Sequence, residues 1–170
     1  MAAVVLVLGG ARSGKSEVGE RRAAELSALT PSGVVTYVAT GWAPDGSDPS
    51  WQARVAAHQL RRPPTWTTVE AGTELVSCLS SVTDVALVDS LGTWVSGIDG
   101  FEADPLALVE VLAERPAPTV LVSDEVGLGV HPETAVGVAF RDALGDVNRA
   151  VAAAADEVLL VVAGRVLPLG

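Results

Sequence analysis

Residues 4–16 read "VVLVLGGARSGKS", and the fold follows from how this stretch is parsed. Ala3–Leu8 is a solid apolar run. It shows no alternation, so the strand it forms must be covered on both faces. The next eight residues, Gly9 to Ser16, fit G-x-x-x-x-G-K-[ST] at every fixed position. A helical pattern from Lys15 to Leu29 follows, so the glycines sit between a strand and a helix, the context in which this motif wraps phosphate. Glycine lets backbone N–H groups turn inward onto phosphate oxygens, and the helix N-terminus adds a partial positive charge. Gly9, Gly10, Ala11, Arg12, Ser13, Gly14, Lys15 and Ser16 are therefore candidate nucleotide contacts. In this motif the lysine reaches the β- and γ-phosphates, and the serine hydroxyl is a ligand for Mg²⁺. Lys15 is the only lysine in the chain; the other ten basic residues are arginines. A compact ammonium has been kept at the one place where a phosphate loop wants it.

Outward from this loop, short apolar runs alternate with helical patterns. Strands are predicted at Val34–Ala39, Thr65–Val69, Val85–Val88 and Thr119–Val122. Helices are predicted from Ser50 to about Arg61, and over Thr73–Ser81, Pro105–Arg115 and Ala135–Ala155. The helix before Arg62 should stop there, because a residue preceding proline avoids the helical region and Pro63-Pro64 follows. "EVLLVVAGRVLPL", from Glu157 to Leu169, reads as two strands turning at Ala163-Gly164. Alternation of solid strands with helices predicts a three-layer α/β domain over residues 1–170, with a mostly parallel sheet and an antiparallel C-terminal edge strand.

Composition narrows the function. A net charge of −10 opposes binding to nucleic acid or to an anionic membrane surface, both of which need basic surface. A small anionic ligand needs only a local cationic pocket. No apolar run reaches the ~18 residues of a membrane span, and "MAAVVLVLGG" lacks the basic start of a signal peptide, which together predict a cytoplasmic protein. Cys78 is the only cysteine, so neither an internal disulfide nor a thiolate cluster can form; its apolar helical setting places it in the core.

A phosphate loop needs a carboxylate for its metal, commonly at the end of a buried strand. Asp89 ends "VALVD"; Asp124 and Glu125, ending "TVLVSDE", are its rivals. The N-K-x-D element by which regulatory GTPases read guanine requires a lysine, and the only one is already used.

The second feature is "RVAAHQLRRPP", from Arg54 to Pro64. On a helix, Arg54, Arg61 and Arg62 share a face with His58. The arginines could hold an anion against the imidazole and disfavour its cation, leaving a lone pair to attack phosphorus. The nearby helix C-terminus favours the cation instead. A solvated helix histidine is the plain alternative. His131, the other histidine, lies in a loop before a proline and reads as structural. Trp42, after the second strand, could stack on a base, with packing in the core or in an interface as the alternative.

Beyond these readings the chain resembles the bifunctional adenosylcobinamide kinase/adenosylcobinamide-phosphate guanylyltransferase family of cobalamin biosynthesis. The resemblance covers nearly the whole chain. It is carried by "LVLGGARSGKS", "YVATG", "RVAAHQLRRPPTWTTVE", "VSDEVGLGVHPE" and "FRDALGDVNRAVAAAADEVLLVVAG". It implies a RecA-like P-loop NTPase fold, a homotrimer and two reactions. One phosphorylates the aminopropanol hydroxyl of adenosylcobinamide with ATP or GTP. The other moves GMP from GTP, through a guanylyl-histidine, onto adenosylcobinamide phosphate to give adenosylcobinamide-GDP. His58 matches the guanylylated histidine, and Lys15 and Asp89 join it as catalytic residues. The resemblance also implies nucleotide contacts from Gly9 to Ser16, from Thr40, Gly41 and Trp42, from Gln59, Leu60, Arg61 and Arg62, and from Glu70 and Asp89, with Mg²⁺ on Ser16 and Asp89. Ala57 stands where many members carry the first of two adjacent histidines, and the segment after "LGTWVSGI" is shorter than in some. Two other classes fit the phosphate loop: a small-molecule kinase without a covalent step, and a nucleotide-gated assembly module.

Overall fold

A computed structural model describes residues 2–41, 52–53, 56, 60 and 62–170. The strands are β1 (Val4–Gly9), β2 (Val35–Ala39), β3 (Thr67–Glu70), β4 (Val85–Asp89), β5 (Thr119–Asp124), β6 (Glu157–Val162) and β7 (Arg165–Pro168). The helices among the described residues are α1 (Lys15–Ser27), α2 (Leu75–Ser81), α3 (Leu91–Gly97), α4 (Pro105–Glu114) and α5 (Ala135–Ala154), with a 3₁₀ turn at Asp99–Phe101. Gln52, Ala53, Ala56 and Leu60 are also helical.

One seven-stranded sheet runs in the order β3-β2-β4-β5-β1-β6-β7. All neighbours pair parallel except β6 and β7, which pair antiparallel. The expected sheet and its C-terminal edge strand are both present. β1 is central because both its faces are apolar. Val4, Leu6 and Leu8 point into a layer with Leu75, Trp94, Leu108, Leu144 and Val147 from α2 to α5. Val5 and Val7 point into a second layer with Val18 and Ala23 of α1. The edge strands β3 and β7 are exposed along their length.

Some bounds differ from expectation for local reasons. β3 starts at Thr67 because a turn closed by Trp66 N–H to the Pro63 carbonyl, 3.0 Å, takes up Thr65. α1 stops at Ser27, where the Leu29 N–H bonds the Leu26 carbonyl at 3.1 Å and tightens the last turn. α3 has no counterpart in the sequence reading; it is seven residues long and contains Gly92 and Gly97. A capping box starts it: the Ser90 side chain accepts from Thr93 N–H and the Thr93 side chain accepts from Ser90 N–H. Cys78 is half-buried and packs against the larger layer. No helix among the described residues is long and apolar enough to cross a membrane.

Arg115 fixes how β4 and β5 enter the sheet. It is buried, 4% exposed, and lies without a carboxylate partner among its hydrogen bonds. Its guanidinium donates to the carbonyls of Leu79, Val82 and Asp84 and to Thr119 Oγ1. One side chain thus closes the end of α2 and joins the starts of the two strands that end in Asp89 and Asp124. Truncation leaves three carbonyls without their donor. Arg115→Ala is expected to lower stability to urea by at least about 3 kcal/mol, and Arg115→Lys to recover only part, since an ammonium cannot reproduce the planar fork.

Candidate active site

The carboxyl ends of the parallel strands converge on one edge, where open α/β sheets bind their ligands. Strand register sets the residues there in rows. Gly9 pairs with Asp124, Ala39 pairs with both Asp89 and Glu70, and Asp89 pairs with Val122.

Between β1 and α1 the chain makes a tight loop. Arg12 and Gly14 have positive φ, 57° and 93°, and Gly14 is the N-cap of α1. Backbone surrounds Gly9: a Cβ there would lie 2.9 Å from the Val161 carbonyl oxygen and would run into Ser13 Oγ. The Ser13 N–H bonds the Gly10 carbonyl at 3.3 Å, and the Ser13 hydroxyl is buried with no hydrogen-bond partner. The turn of the C-terminal hairpin braces this loop, because the Gly164 N–H donates to the Ser13 carbonyl at 2.8 Å.

Lys15 and Ser16 open α1 and meet two different carboxylates. Lys15 Nζ lies 2.7 Å from Asp124 Oδ1 and 3.2 Å from the Gly10 carbonyl. The Ser16 hydroxyl lies 3.4 Å from Asp89 Oδ1. The three rival carboxylates are thus separated: Asp89 to Ser16, Asp124 to Lys15, and Glu125 to its own loop, where its side chain accepts from Gly127 N–H at 2.6 Å.

A metal at Ser16 and Asp89 fits the chemistry of both oxygens. Their separation is close to the roughly 3 Å between neighbouring ligands of an octahedral Mg²⁺. Among the described residues no group of three or more His, Cys, Asp or Glu could hold a metal by itself. Mg²⁺ is commonly held this way, by one or two protein oxygens, nucleotide phosphates and water.

The structure brings other sequence-derived candidates to the same edge. Thr40 is buried, and its hydroxyl is engaged with the loop after β4: it donates to the Ser90 carbonyl at 2.7 Å and accepts from Ser90 N–H at 3.0 Å. Gly41 follows it, and Glu70 is exposed at the end of β3. Leu60 is exposed. Arg62 lies over the Tyr37 ring, 3.3 Å from its centroid, and donates to Thr68 Oγ1 at 3.1 Å. Trp42, Arg54, His58, Gln59 and Arg61 lie outside the described residues. His131 lies in the loop between β5 and α5, where its Nδ1 is 2.9 Å from the Arg141 guanidinium.

Tyr37 is absent from the sequence-derived set. Its hydroxyl donates to Asp89 Oδ2 at 2.9 Å. Burial, and next the charge of Asp89, raise its pKa well above the usual tyrosine range against the opposing pull of Arg62, so the hydroxyl stays protonated and donates. One signal was available: a hydroxyl inside an apolar strand run must find a polar partner.

Fold and loop together define a P-loop nucleotide-binding α/β protein. A KaiC-like protein from the hyperthermophilic archaeon Pyrococcus horikoshii has a similar fold, with a TM-score of 0.50 at 12% identity, covering 93% of this chain and 70% of that one. The model of one family, cobinamide kinase / cobinamide phosphate guanyltransferase, matches residues 5–169, and the chain belongs to that family. It is 38% identical to the bifunctional adenosylcobalamin biosynthesis protein CobP of Pseudomonas aeruginosa, over 96% of this chain and 95% of that one. Against the bifunctional adenosylcobalamin biosynthesis protein CobU of Escherichia coli the identity is 34%, over 95% and 96%. The protein is therefore an enzyme of the transferase class, as the sequence reading expected.

Gly9→Ala tests the loop. A Cβ that meets a backbone carbonyl of β6 cannot be relieved by a rotamer change. The variant is expected to fold, by circular dichroism, and to bind GTP at least about 10-fold more weakly, the size of effect that a ~1.4 kcal/mol loss produces.

Proposed function

We propose that the chain carries out both reactions of its family at this one edge, with Lys15, Ser16 and Asp89 serving the nucleotide phosphates and His58 carrying the guanylyl group. The observation behind this reading is the convergence of Lys15, Ser16, Asp89 and Asp124 at the mouth of the phosphate loop. GTP and ATP are the nucleotides, and adenosylcobinamide and its phosphate are the acceptors.

In the kinase step the acceptor hydroxyl oxygen bonds the γ-phosphorus as the β–γ bridge breaks. The nucleoside diphosphate leaves, and the hydroxyl proton passes to a carboxylate or water. Little covalent work falls to the protein, which positions the phosphates and neutralises charge. The loop N–H groups and the Lys15 ammonium do this from one side. Mg²⁺, held by Ser16 and Asp89, would supply charge neutralisation at the β- and γ-oxygens. Lys15 leaves Asp124 to do so, which frees that carboxylate beside the transferring phosphate.

In the guanylyl step a His58 ring nitrogen bonds the α-phosphorus of GTP and pyrophosphate leaves. A phosphate oxygen of adenosylcobinamide phosphate then bonds the same phosphorus, the N–P bond breaks and His58 is regenerated. Division into two displacements is the use of a covalent intermediate. Arg62, at the end of the histidine segment, rests on Tyr37 and so reaches the strand next to Asp89.

The test follows label from GTP carrying ³²P at the α-phosphate. Wild-type protein with Mg²⁺ is expected to retain label after denaturation, in an adduct labile to acid and stable to alkali. His58→Ala is expected to lose the adduct entirely and to keep γ-phosphate transfer to adenosylcobinamide. Retention of the adduct in that variant would move the nucleophile elsewhere. Absence of any adduct in wild type would leave a kinase without a covalent step.

A further inference from the structure

Tyr37 is the only tyrosine in the chain; it opens the stretch "YVATG", in which only Thr40 and Gly41 were given a role. On β2 it pairs with Leu87 of β4, so Asp89, two residues further on, is its diagonal neighbour on the same face. The ring is buried, 3% exposed. Arg62 covers it, 3.3 Å from the centroid, and Thr68 holds Arg62 in turn. The ring therefore has a fixed place, and so has its hydroxyl, 2.9 Å from Asp89 Oδ2.

An aspartate at a strand end turns about two side-chain bonds, and the outer one has a broad torsional profile. With Oδ2 held by Tyr37, the other oxygen has one direction left, and it faces Ser16 Oγ at 3.4 Å. We propose that Tyr37 is a positioning residue for the metal-bearing end of the nucleotide site: its hydroxyl fixes the Asp89 carboxylate so that Oδ1 and Ser16 Oγ present a preformed pair of ligands to the divalent cation of the bound nucleotide. This rests on the reading of Asp89 given above. It assigns Tyr37 no contact with nucleotide or acceptor. Partners of this kind, one bond removed from a metal, typically set metal affinity by about 10-fold or more.

Tyr37→Phe removes the hydroxyl and keeps the ring volume and the face on which Arg62 lies. The probe is guanosine α,β-methylene-triphosphate, which cannot guanylylate the protein and, without acceptor, keeps its γ-phosphate. Its affinity is measured by calorimetry with saturating Mg²⁺ and again in EDTA, with thermal unfolding of the ligand-free variants in parallel. The gain in affinity on adding Mg²⁺ is expected to fall about 10-fold in Tyr37→Phe, with affinity in EDTA unchanged. Asp89→Ala is expected to lose more of the gain, and the double variant no more than Asp89→Ala alone. A full Mg²⁺ gain in Tyr37→Phe, beside a loss in Asp89→Ala, would overturn the role of Tyr37 and leave that of Asp89 standing. An equal loss with and without Mg²⁺ would reduce Tyr37 to a structural residue. A full gain in Asp89→Ala would remove the Asp89 reading and this inference together.

Discussion

Where β1 runs into the phosphate loop, Gly9 has room for backbone and nothing more. A Cβ on Gly9 would meet the Val161 carbonyl, and Gly14 takes a left-handed conformation to start the helix. Everything at the site is arranged around that turn. β1 brings it to the interior of the sheet, between β5 and β6, because both its faces are apolar. The hairpin β6–β7 folds back so that Gly164 supports Ser13 from the far side. α1, starting at Lys15, places the ammonium and the Ser16 hydroxyl on neighbouring strand ends.

The carboxylates show how a parallel sheet divides labour. Asp89 and Asp124 end adjacent strands, yet they face different partners, Ser16 and Lys15, which are successive residues at the start of α1. Asp124 pairs with Lys15, so on the proposed reading a nucleotide phosphate would exchange one anion for another at the ammonium. Asp89 is fixed from two sides, by Tyr37 and by Ser16. At the other ends of the same two strands Arg115 binds the carbonyls of Leu79, Val82 and Asp84 and the hydroxyl of Thr119. The rigidity of the site thus begins some distance from it.

The phosphate loop, the parallel sheet and the antiparallel edge were legible because each rests on a local pattern: a fixed motif, solid apolar runs and a hairpin turn. α3 was not legible, since seven residues with two glycines carry no helical periodicity; its start depends on Ser90 and Thr93 capping each other. The choice among Asp89, Asp124 and Glu125 was open in the sequence because all three follow buried strands. Only the register and the direction of α1 separate them. Tyr37 was missed for the same reason: its meaning comes from a strand fifty residues away in the chain, on which Asp89 sits. The spacing of the histidine segment left an anion site and a solvated helix face both open, only the resemblance chose between them, and His58 lies outside the described residues.

The central claim is that one phosphate loop serves both group transfers. Its most direct test is Lys15→Ala carried through single-turnover assays of both reactions with the same protein preparation. One assay follows γ-labelled GTP to adenosylcobinamide; the other follows α-labelled GTP onto the protein. Loss of both transfers together, with the fold intact by circular dichroism, is the predicted result. Loss of γ-phosphate transfer with full retention of the guanylyl adduct would contradict a shared loop and require a second nucleotide site.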